Sequence, residues 1–104
     1  MNYDHQTLET FFSESNIDIE IKPSTKRLVF YTAMTFYPVT LTVRQPTTAI
    51  PDYGIEVIEE YFKQEYDMPL DGIDIRVHWR SIEFYFSDQQ SANEFAVKLK
   101  LRLQ

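Results

Sequence analysis

The chain has 104 residues and a formal net charge of −6, from sixteen acids and ten bases. Its hydrophobic share is 43%, with eight Phe, seven Tyr and one Trp. That is enough for one core and too little for two, so the expectation is a single domain over 1–104. Cysteine is absent, which excludes disulfides, thiolate catalysis and thiolate metal sites, and favours a reducing, cytoplasmic setting. The first residues are polar and no apolar run nears the ~18 residues of a membrane span, so no membrane association is expected.

Residues 5–14 read as a short helix, with Leu8, Phe11 and Phe12 at i, i+3, i+4. Residues 17–22 alternate strictly, Ile17, Ile19 and Ile21 against Asp18, Glu20 and Lys22, as in a half-buried strand. After a turn at Pro23–Lys26, residues 27–34 form a second strand. It is apolar on both faces, which predicts a central position covered above and below. A turn is expected at Thr35–Pro38, then a third strand over 39–44, where Val39, Leu41 and Val43 alternate with Thr40, Thr42 and Arg44. Residues 45–51 contain two prolines and read as a loop.

A helix over 53–66, opened by Pro51 or Asp52, has Ile55, Ile58, Phe62 and Tyr66 as its inward stripe. Glu56, Glu59, Glu60 and Lys63 lie outside it, and Asp71-Gly72 marks a turn. Strands over 73–79 and 82–86 then form a hairpin. Turning at Arg80-Ser81, it would pair Trp79 with Ile82, Val77 with Phe84 and Ile75 with Phe86 on the apolar face. His78 would meet Glu83, and Arg76 would meet Tyr85, on the other. Arg80-Ser81 lacks the Gly, Asn or Asp that a two-residue turn favours, which leaves a longer loop open. Ser87 and Gln90 have capping-box spacing ahead of a helix over 88–100, carrying Ala92, Phe95, Ala96 and Leu99. Residues 97–103 also alternate as a strand would. Helix is preferred because no turn signal interrupts the run, and it leaves Leu101 outside the inward stripe. The predicted order is α-β-β-β-α-β-β-α, an α+β fold with a mostly antiparallel five-stranded sheet and three helices.

Two glycines, Gly54 and Gly72, are too few for a phosphate-binding loop, and the two histidines, His5 and His78, lie far apart in sequence. No cofactor, metal site or catalytic motif is expected. Between Asp52 and Asp74, eight acids face Lys63 alone, a net −7. This acidic stretch is interleaved with tyrosine, a residue enriched at binding hot spots. The candidate partner-binding residues are therefore Asp52, Tyr53, Glu56, Glu59, Glu60 and Tyr61, together with Phe36 and Tyr37 in the predicted turn. The charge opposes direct nucleic-acid contact and favours a basic protein partner. In general character (acidic, aromatic-rich, free of cysteine) the chain resembles phage anti-defence inhibitors and bacterial immunity proteins, without a shared motif. The expected function is non-enzymatic: inhibition or modulation of a larger basic protein by occluding its surface. The alternative is an assembly component that self-associates, as a homodimer or within a larger particle.

Overall fold

The structure is a computed structural model that describes residues 8, 9, 12, 16–44, 55–78 and 80–103. Its elements are β1 (Asn16–Ile21), β2 (Thr25–Val29), β3 (Thr32–Arg44), α1 (Ile55–Tyr66), β4 (Asp74–Val77), β5 (Ser81–Phe86) and α2 (Gln89–Leu103). The class is α+β, and all five strands join one antiparallel sheet. The described residues hold two helices rather than the three expected. Of the predicted helix over 5–14, Leu8, Glu9 and Phe12 are described, in helical conformation, and the rest lies outside the described residues.

β3 organises the sheet. Its C-terminal part pairs β1 on one edge and β5 on the other, and β4 follows β5. The predicted turn at Thr35–Pro38 does not exist: these residues lie within a 13-residue strand. The chain turns instead at Phe30-Tyr31, both left-handed, with φ of 49° and 64°. Two positive φ values between paired Val29 and Thr32 define a hairpin turn normally built from Asn-Gly. Two aromatic residues carry no such signal, so the sequence concealed it.

Pro38 suggested a break because it cannot donate to a ladder. It is accommodated where the ladder is already interrupted. β1 ends opposite Val39 and β2 begins opposite Phe36, so residues 22–24 face only Tyr37 and Pro38. This three-against-two mismatch is a bulge. There the Lys22 amide donates to the Pro38 carbonyl at 2.9 Å.

The predicted central strand over 27–34 is consequently the outer part of a long hairpin. β5 reaches only Tyr37–Thr42 of β3, so β2 and residues 32–36 project past it as a two-stranded arm. Leu28 is 76% exposed, Phe30 93%, and Tyr31 fully. The apolar character of this run does not mean burial, because the run leaves the body of the sheet.

One sheet face is covered. Val39, Leu41 and Val43, Ile75, Ile82 and Phe84 are buried on it, with Ile17, Ile19, Tyr37, Val77 and Phe86 packed around them. Against it lie Ile58, Tyr61, Phe62, Ala92, Phe95, Ala96 and Leu99 from the two helices, and Leu8 and Phe12. Met68 and Leu70 close the end after α1. The β4–β5 hairpin keeps its expected faces but not its pairing. Ile75 meets Phe84 and Val77 meets Ile82, a shift of two residues that preserves face and lengthens the loop to 78–80. The His78 amide donates to the Ser81 carbonyl at 2.8 Å, closing it. Trp79 lies outside the described residues.

α2 runs as helix to Leu103, and Leu101 is 75% exposed, as the periodicity required. Its cap is Asp88 rather than Ser87. Asp88 Oδ2 accepts from the Ser91 amide at 2.9 Å and the Ser91 hydroxyl at 2.8 Å, satisfying an orphan donor of the first turn. α1 ends at Tyr66, and the φ of 53° at the next residue, Asp67, reverses the chain so that the Met68 amide donates to the Phe62 carbonyl at 3.2 Å.

Candidate functional site

Three surfaces bring chemistry together. The first is the outer face of α1 and the turn that follows. Glu56, Glu59 and Glu60 from the helix and Asp71 from the turn line a groove of about 150 Å³ with Lys63 and Pro69. Glu56 and Glu60 are exposed and Glu59 is half-buried. Four carboxylates against one ammonium give this groove a negative field suited to an arginine or lysine side chain. The Gln64 side-chain amide donates to Glu60 at 2.6 Å, which fixes one wall.

The tyrosine expected beside these acids points elsewhere. Tyr61 is 1% exposed, stacked on Phe12 with ring centroids 5.5 Å apart and edge-on to Tyr66 at 5.6 Å. An inward helical stripe spans more than 100°, wide enough to include Tyr61 beside Phe62. Burial, and then the Tyr66 hydroxyl 3.5 Å away, push the Tyr61 hydroxyl well above the ordinary phenol value. Tyr61 is thus a core residue, and its ring does not reach a partner as the sequence predicts. Asp52 and Tyr53 lie outside the described residues.

The second surface is the sheet face opposite the two described helices. Arg27, at the base of the arm, reaches across it to the body. Its guanidinium lies 4.9 Å from the Tyr85 ring centroid and 5.7 Å from that of Phe36, and Nη1 donates to Asp74 Oδ2 at 3.0 Å. Phe36 and Tyr85 meet edge-to-face at 6.2 Å. Phe36 and Tyr37 are therefore not loop residues. They are half-buried neighbours in β3 that face opposite sides of the sheet, Tyr37 packing on the core and Phe36 under Arg27. Burial, and then Glu83, raise the Tyr85 hydroxyl above its usual value. The expected pairs His78–Glu83 and Arg76–Tyr85 are not ladder partners, since Glu83 pairs with Arg76 and Tyr85 with Asp74, although the His78 Nε2 and Glu83 Oε1 side-chain atoms are hydrogen-bonded. Chemically this face is a row of solvated cross-strand pairs with an aromatic clamp at one end. Among the described residues, no group of three or more His, Asp or Glu gathers to hold a metal.

The third surface is the arm tip, which the sequence reading missed altogether. A signal was present, since residues 22–36 contain three bases (Lys22, Lys26 and Arg27) and no acid. All sixteen acids of the chain lie elsewhere. No described helix is long and apolar enough to cross a membrane.

No protein-family model, curated protein or solved structure matches this chain.

Proposed function

We propose that this protein is a non-enzymatic binding protein that occludes a basic surface of a larger protein partner and so inhibits or modulates it. The observation that carries this reading is the α1 groove, where Glu56, Glu59, Glu60 and Asp71 converge around Lys63. Desolvated contact, which charge alone does not supply, comes from Ile55 at the head of the same helix, which is exposed rather than part of the inward stripe as its spacing predicts, and not from Tyr61. Exposed carboxylates steer a basic partner into place and act mainly on the association rate.

The test is affinity capture from the native source with wild type and with Glu56→Gln/Glu59→Gln/Glu60→Gln, followed by mass spectrometry. A basic protein retained by wild type and lost by the variant is the expected partner. Surface plasmon resonance on that protein should show slower association and a flatter salt dependence for the triple variant. Unchanged kinetics would remove α1 from the interface.

A further inference from the structure

The β2–β3 arm meets the body of the sheet at a weak joint. β1 ends opposite Val39, β2 begins opposite Phe36, and β5 ends at Phe86 opposite Tyr37. Across the gap between β1 and β2, the Lys22 amide donates to the Pro38 carbonyl. Pro38 has no amide to return a second bond, and Pro23, in the segment that crosses the joint, has none to give. Beyond Tyr37 the arm is a two-stranded ribbon whose ladder runs only between its own strands. A bulge at the root of such a ribbon is where the sheet resists bending least.

A side chain supplies the second tie. Among the described residues, Arg27 is the one residue of β2 with a hydrogen bond, ion pair or ring contact to β4 or β5. It is planted in the arm, where it pairs with Met34, and reaches Asp74 of β4 at 3.0 Å and the Tyr85 ring of β5 at 4.9 Å. Asp74 and Tyr85 are themselves ladder partners, so the guanidinium lands on a pair that the body holds together. Arg76 lies 3.9 Å from the other carboxylate oxygen of Asp74, which places this acid between one guanidinium from the arm and one from the body.

We infer that Arg27 is a latch: it holds the arm in one direction relative to the body, and when it leaves Asp74 and Tyr85 the arm turns as a unit about the Lys22–Pro38 joint. The chemistry of the contact sets its strength. The ion pair is partly exposed, 30% at Arg27 and 49% at Asp74, so water competes for it. The ring contact adds direction, because a planar guanidinium stacks where an ammonium does not. A tie of this kind leaves the open arm as a minor state, on the order of 1–10% of molecules. The consequence is leverage. From Thr25 to Phe30 the arm is roughly 20 Å long, so a turn of about 30° at its root carries the tip through roughly 10 Å. The exposed Leu28, Phe30 and Tyr31 travel with it, and one side chain sets where they stand relative to the α1 groove. This inference is independent of what that groove binds.

The experiment is measurement of amide residual dipolar couplings on the full chain, for wild type, Arg27→Ala, Arg27→Lys and Asp74→Asn. In wild type the couplings of residues 25–36 should fit the same alignment, in direction and magnitude, as those of β1, β5 and the two helices. In Arg27→Ala and Asp74→Asn the open-to-closed ratio should rise roughly tenfold. The arm couplings should then still fit a hairpin but shrink by about a third or more relative to those of the body. Arg27→Lys, which keeps the charge and loses the planar fork, should fall between. Asp74→Asn, nearly isosteric and remote from the hairpin, gives the answer if alanine at position 27 disturbs the arm. Three results overturn the inference. Arm couplings unchanged in both Arg27→Ala and Asp74→Asn would make the joint itself rigid. Arm couplings already reduced in wild type would mean that Arg27 holds nothing. Arm couplings that no longer fit a hairpin in either variant would give Arg27 the role of folding the arm rather than aiming it.

Discussion

Phe84→Ala removes the ring at the centre of the core. Phe84 is fully buried, paired with Val39 on one side and Ile75 on the other. Its ring lies 4.8 Å from that of Phe95 and 6.1 Å, edge-on, from that of Phe62. It therefore joins both helices to both halves of the sheet. Burying a Phe side chain is worth about 1.5–3 kcal/mol in transfer free energy. Each aromatic pair adds about 0.5–1.5 kcal/mol, and the cavity left behind relaxes only partly. Together these predict a loss of about 3–5 kcal/mol, a large fraction of the stability of a domain this size. Urea denaturation followed by far-UV circular dichroism and by fluorescence measures it, with coincident transitions and an unchanged slope confirming that the same folded state is compared. Phe84→Leu, which keeps most of the volume, should cost much less. A loss below about 1 kcal/mol for the alanine variant would place Phe84 outside the core and refute the packing of both helices on this face.

Arg27→Ala should cost about 1–2 kcal/mol by releasing the Tyr85 and Phe36 rings and Asp74, and Arg27→Lys should recover little of it because the planar fork is lost. A double-mutant cycle with Asp74→Ala should show positive coupling, and strict additivity would refute the clamp. Phe30→Asn/Tyr31→Gly should raise the stability of the monomer by about 1–2 kcal/mol in urea melts, by relieving two left-handed aromatic residues. A destabilised monomer would mean that the tip is packed. The Ser91 hydroxyl, and then its amide, hold the exposed Asp88 carboxyl below its ordinary value, so the folded state favours the carboxylate. Its contribution is present above the ordinary carboxylate pKa and is lost as pH falls through the lowered one. Asp88→Ala should therefore lower Tm at neutral pH, with the gap to wild type closing in acid. A gap independent of pH would refute the cap.

The parts legible in sequence were those with a clean period and one buried face. Ile17–Ile21, Val39–Val43 and Ile75–Phe86 alternate because the helices pack on one side of the sheet and the other side is more polar, and their faces follow from parity alone. Parity does not fix register, which is why the β4–β5 hairpin could shift by two residues without moving a single apolar side chain to the wrong face. The apolar character of the run from Leu28 to Met34 reflects exposure on an arm rather than burial, and no sequence period separates the two. The α1 acids lie where the heptad-like stripe puts them. Tyr61 was misplaced because an inward helix stripe is broader than one residue per turn.

Among the described strands, β3 is the one to which three others attach, and that governs how the molecule assembles in time. The β1–β2–β3 hairpin closes locally, across a two-residue turn. The β3–β5 ladder pairs Tyr37 with Phe86 and Thr42 with Ser81, so it must bring together segments separated by all of α1 and β4. Closing that long loop is the slow, entropically costly step, while hairpin formation takes only microseconds. Substitutions at the β3–β5 seam, such as Leu41→Ala or Ile82→Val, are then expected to slow folding, and changes that weaken the β2–β3 hairpin, which closes before that step, should also appear on the folding limb. Chevron plots for one variant of each kind test this, and an arm variant that acts only on unfolding would place the arm outside the nucleus.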